Sequence, residues 1–148
     1  ASWCLFNHAS ASFFLGKKLV TIDNDCKIYI PHLADLGWKE IAEAIGNIWQ
    51  AALYLMGRLE EDDRDVLLFQ DIVHREPKFH QLPRCTARSA VYALMGDNEK
   101  GAEYALSIGN IYLEKAPGHW TCQADCFGRG VCLYAMARKT KQRRYMKA

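Results

Sequence analysis

Apolar residues recur every three or four positions from Trp38 to Leu59: Trp38, Ile41, Ala42, Ile45, Ile48, Trp49, Ala52, Leu53, Met56 and Leu59. That spacing predicts an amphipathic helix over 38–59. Asp35 lies near its N-cap, and the acidic run after Leu59 closes it. The polar positions Lys39, Glu43, Asn47 and Gln50 are few, so the helix is expected to be central and mostly buried. The stretch 41–57 is at the short limit for a membrane span and reads instead as a core helix. Two further helices are predicted. One covers 86–95, with Thr86 as cap and Gly96 as stop; the other covers 98–115, with Asp97 as N-cap and Pro117 just beyond.

Residues 18–30 follow a different rule. Their runs are rich in Val, Ile, Thr and Tyr, and Asp23-Asn24-Asp25 supplies turn chemistry. Two short strands around a turn are expected, ended by Pro31. Segment 65–75 fits a buried strand at Val66-Leu67-Leu68-Phe69 or the start of a helix, and 76–85, with Pro77 and Pro83, reads as a loop. Gly128-Arg129-Gly130 marks a turn, and Val131 to Ala137 fits strand or helix. The expected fold is therefore α+β. A long central helix and two others pack on a small antiparallel sheet, in a single domain over 1–137, followed by a basic tail over 138–148.

Two short words recur. Ile-Gly-Asn-Ile-Trp (45–49) nearly matches Ile-Gly-Asn-Ile-Tyr (108–112), and Leu-Met-Gly stands at 55–57 and 94–96. Their order is reversed between the halves, so they are not a tandem repeat. Ala42 with Gly46, and Ala105 with Gly109, are small pairs one helical turn apart, which predicts close helix–helix approach at those points.

Composition narrows the class. The chain has 148 residues, half of them apolar and 24% charged, so a folded body with a real core is expected. The net charge of +2 conceals an asymmetry. Arg138, Lys139, Lys141, Arg143, Arg144 and Lys147 place six cations in the last eleven residues, while the rest carries 13 basic and 17 acidic groups. Such a tail suits an anionic surface or an acidic partner. Specific nucleic-acid binding is not expected, because the remaining body is acidic and repels a polyanion.

Six cysteines, Cys4, Cys26, Cys85, Cys122, Cys126 and Cys132, are an even number in a small chain, which reads as three disulfides and an oxidising compartment. The start at Ala1, without Met or an apolar leader, is what removal of a signal peptide would leave. His119, Cys122, Cys126 and Cys132 have the side-chain types of a zinc site, but their spacing matches no zinc motif, so no metal or other cofactor is expected. Asp71, His74 and His80, with Glu76, are the only segment offering acid–base chemistry. It lacks the His-Glu-x-x-His spacing that would set two imidazoles on one helical face. No Gly-x-Ser-x-Gly elbow and no Gly-rich phosphate loop is present.

These features favour a non-enzymatic, secreted, extracellular, disulfide-stabilised interaction protein. A microbial effector or small toxin acting on a protein or cell-surface target of another organism fits, with the basic tail contributing to recognition. Two rivals follow from the same residues. One is a small secreted hydrolase using Asp71, His74 and His80; the other is a carrier of an apolar ligand, with the Trp38/Trp49 helix lining its cavity.

Overall fold

The structure is a computed structural model that describes residues 2–59 and 82–146. Those residues form seven α-helices and no strand. The α+β expectation is thus overturned: the described residues carry no sheet, and their regular structure is all helical.

The helices fall into two compact units, Ala1–Arg84 and Cys85–Ala148. In the first, α1 (Ser2–Phe14), α2 (Leu19–Asp35) and α3 (Lys39–Leu55) pack on one another, with α2 against α3 the most extensive pairing. Their inward residues follow the helical period. Phe6, Ala9 and Phe13 come from α1; Ile22, Cys26 and Leu33 from α2; Ile41, Ala44, Ile45, Ile48, Ala51 and Ala52 from α3. The expected hairpin at 18–30 is the first half of α2. Its β-branched residues suggested strands, but strand propensity is weak against packing. The spacing of Ile22, Cys26 and Leu33 suits one helical face against α3. Pro31 lies inside the last turns of α2, exposed, where its missing amide costs one backbone bond.

Asp23 fixes α2 to α3. Its side chain is almost fully buried, yet it accepts from Trp49 Nε1, Lys27 Nζ and Arg58 Nη1, each at 2.8 Å. Lys27 and Trp49, the leading donors, hold this carboxyl below its usual range despite burial. The residue that reads as turn chemistry in the sequence is therefore the polar lock of the first unit.

Four helices end alike. After α3, Gly57 has φ of 69°, its amide donates to Tyr54 O, and the Arg58 amide donates to Leu53 O. These are the two bonds of a Schellman cap, whose left-handed residue suits glycine. The same pair of bonds follows α1, α2 and α4 (Leu82–Met95). Both Leu-Met-Gly words are thus helix endings. The longer words behave differently. Ile45–Trp49 runs through the middle of α3, whereas Ile108–Tyr112 spans the break between α5 (Asn98–Ile108) and α6 (Ile111–Lys115).

In the second unit α4, whose first turn belongs to the first unit, is followed by α5, α6, α7 (Trp120–Thr140) and a 3₁₀ turn at Arg143–Tyr145. The helix expected over 98–115 is divided at Gly109; its N-cap is Asp97, as the pattern predicts, accepting from the Lys100 amide. Thr86 is not a cap but a buried residue within α4, which starts four residues earlier. Gly128-Arg129-Gly130 is not a turn but the interior of α7. A Cβ on Gly128 would lie 3.1 Å from the Ser89 carbonyl group and 3.2 Å from the Ala90 nitrogen, so this glycine lets α7 approach the α4 backbone. Gly101 does the same for α5, since a Cβ there would overlap the Cys132 sulfur and stand 3.0 Å from Tyr92 Cβ. At Gly46 and Gly109 a Cβ would meet nothing, so the close approaches expected there are absent. Both glycine contacts that do form lie where no repeated word pointed.

Candidate interaction surface

The second unit is built around α7. On its inner face Asp125 is fully buried, and its Oδ2 stands 2.8 Å from Arg129 Nε. Ser89 Oγ donates to Asp125 Oδ1 at 3.3 Å, and Arg129 Nη1 donates to the Gly109 carbonyl at the α5–α6 break. One ion pair thereby ties α7 to α4 and to the turn after α5. Burial raises the Asp125 carboxyl above its ordinary range, and the Arg129 charge only partly offsets this. Near the start of α7, His119 caps the helix through Nδ1, and its partly buried imidazole forms a connected chain with the buried hydroxyls of Thr121 and Tyr112. Burial lowers the His119 pKa.

The outer face of α7 is unusual. Trp120, Phe127, Val131 and Tyr134 are exposed, with Phe127 at 73% and Tyr134 at 66%. At 3.6 residues per turn they fall within about 60° of one another, and Arg138 continues the same line. This ridge lies opposite Cys122, Asp125, Cys132 and Met136, which are buried. With the inner face already packed, this outer apolar line is one that water serves poorly.

Beyond the ridge lies the charge. Arg138, Lys139, Lys141, Arg143 and Arg144 are all exposed. Two of the five belong to the last turn of α7, where cations complement the helix dipole. The backbone after them is also ordered into structure. Lys141 caps α7 in the left-handed region with φ of 58°, and the following 3₁₀ turn buries Tyr145. Tyr145 OH donates to Glu103 Oε1 at 2.9 Å, and Arg144 Nη2 donates to the same oxygen at 2.8 Å. The segment expected as a basic tail is thus held to α5 through Arg144 and Tyr145. Lys147 lies outside the described residues. No acid follows Asp125 in the chain, and residues 85–148 hold ten Lys and Arg against five Asp and Glu. The first unit has nine against twelve.

The remaining sequence candidates are not gathered here. Asp71, His74 and His80 lie outside the described residues. Trp38 is exposed at the start of α3, while Trp49 is bonded to Asp23, so the two indoles have separate surroundings. All six cysteines are free thiols, none at disulfide distance from another, which corrects the expected three bridges. Cys26, Cys85, Cys122 and Cys132 are buried and fill core positions as small apolar side chains. Cys122 and Cys126 stand one turn apart on α7, the first buried and the second exposed. Among the described residues no three His, Cys, Asp or Glu side chains are grouped so as to hold a metal ion. Alkylation of the native protein without reductant is expected to label Cys4 and Cys126 first, and all six cysteines once the chain is unfolded. Mass spectrometry finding unlabelled, bridged cysteines after unfolding would restore the disulfide reading.

The sequence signals the cations and the aromatic residues but not the ridge. Reading Gly128-Arg129-Gly130 as a turn and Val131 to Ala137 as strand or helix breaks α7 at Gly128, so Trp120 and Tyr134 are not seen on one face. Comparison with protein-family models, with curated proteins and with solved structures gives no match.

Proposed function

We propose that this protein is an interaction module whose second unit recognises an anionic partner through the electropositive end of α7. One observation carries the reading: five exposed cations stand together on the last turn of α7, its left-handed cap and the 3₁₀ turn that buries Tyr145. Cations fixed in this way lose less entropy on binding than cations on a frayed terminus. Their summed field speeds encounter with a negative partner and weakens as salt rises. An exported effector or toxin would use the same face on another cell; the thiol measurement above bears on that part, because export rested on paired cysteines.

The test is retention on an immobilised polyanion such as heparin. The wild-type chain is expected to bind at low salt and elute as salt increases. The triple substitution Arg138→Glu, Lys139→Glu and Lys141→Glu is expected to weaken binding about tenfold or more, with an unchanged circular dichroism spectrum. Equal retention of wild type and variant at every salt concentration would sink the reading.

A further inference from the structure

We propose that the outer ridge of α7 seats on an anionic lipid bilayer, with Trp120, Phe127, Val131 and Tyr134 entering the boundary between headgroups and acyl chains and the cations at its C-terminal end meeting lipid phosphates. This rests on the anionic-partner reading above and names the partner. An interfacial helix needs an apolar stripe together with cations; here Arg138 continues the line of the stripe and the other cations cluster at its C-terminal end. Trp and Tyr favour this depth because their rings are apolar and their tips polar. Arg138 lies on the line of the ridge, where its long side chain can keep the guanidinium at the headgroups.

The shape of the ridge selects among occupants. From Trp120 to Arg138 it runs about 27 Å and is one side chain wide. Contact along such a line covers a few hundred Å² on each partner, below the roughly 800 Å² per partner of a stable protein interface. A second copy of the chain would therefore be held weakly. A bilayer needs no complementary pocket and accepts a single ridge. Four of the five acids of this unit stand aside from it or are engaged, Asp125 in its buried pair with Arg129. Asp97 and Glu99 line a hollow of about 240 Å³ with Lys139, Ala135 and Met136, on the flank of α7 away from Phe127. Glu103 is engaged by Arg144 and Tyr145.

Flotation of the full chain with vesicles of phosphatidylcholine, with and without phosphatidylserine, tests this. Three proteins are compared: wild type, the ridge variant Phe127→Ser/Tyr134→Ser, and the charge variant Arg138→Glu/Lys139→Glu/Lys141→Glu. Both changed ridge residues are largely exposed, so the ridge variant should fold. Wild type is expected to float with serine-lipid vesicles and far less with the neutral ones. Each variant is expected to partition at least about tenfold more weakly, since a membrane-surface cation contributes up to about fivefold in affinity and the aromatic insertion more. The ridge variant should keep its retention on heparin. If it floats as wild type does while the charge variant fails on both supports, the lipid inference falls and the anionic-partner reading stands. If wild type binds neither heparin nor vesicles, both fall. If the free wild-type chain sediments as a dimer and the ridge variant as a monomer, the ridge is a self-contact and the lipid inference is overturned.

Discussion

Asp125→Ala is expected to destabilise the second unit by about 3–5 kcal/mol, because it strands a buried guanidinium. Asp125 is fully buried and Arg129 nearly so, and their charged atoms stand 2.8 Å apart. Without the carboxylate, Arg129 keeps the Gly109 carbonyl but loses its counter-charge. The double change Asp125→Ala/Arg129→Met removes both charges and is expected to recover most of the loss, as apolar replacements of buried pairs often do. Urea unfolding followed by circular dichroism measures both variants. A single-variant loss below about 1 kcal/mol would show the pair to be unimportant, and so would a double variant no better than the single. The pH dependence has a defined sign. Folding raises the Asp125 pKa, so its charged form carries a penalty above the folded pKa that vanishes as pH falls below the unfolded value of 3.8. Asp23 runs the other way. Its pKa is depressed in the fold, so its stabilisation is full above 3.8 and is lost as pH falls through the folded value.

Ile45→Ala is expected to cost about 2–5 kcal/mol in the first unit, through lost burial and the cavity left behind. Ile45 is wholly inaccessible to solvent at the middle of α3, and Ile48 beside it is nearly so. Ile45→Val, which removes one methylene, should cost about 0.5–1.5 kcal/mol. Leu53→Ala should cost less than Ile45→Ala, because Leu53 lies near the end of α3 and is partly exposed. The denaturation midpoints of the three variants give the comparison. Equal midpoints for Ile45→Ala and Leu53→Ala would mean that the packing of α3 is not graded from its centre to its end.

The helical period of α3 was legible in the chain, because a helix with one buried face writes that face into every third or fourth residue. The endings were legible too. Leu-Met-Gly at 55–57 and 94–96, and Asp97 before α5, are local chemistry that needs no distant partner. The concentration of cations after Ala137 was visible for the same reason. The sequence alone did not reveal α2 or α7. In α2 the β-branched residues point locally to strands, and only packing against α3, with Trp49 and Arg58 reaching Asp23 from 26 and 35 residues away, makes the helix the better state. In α7 two glycines read locally as a turn. Gly128 is instead where the α4 backbone comes within van der Waals reach, and that contact exists only in the folded unit. The even cysteine count carried a chemical implication but no distances, and the core uses four of those thiols as small apolar side chains. The same holds for the ridge. Trp120, Phe127, Val131 and Tyr134 become one surface only when α7 runs unbroken past Gly128 and its opposite face is taken up by Asp125, Cys132 and Met136. Propensity and capping act over one or two turns and are written locally; which face of a helix is buried depends on neighbours far away in the chain.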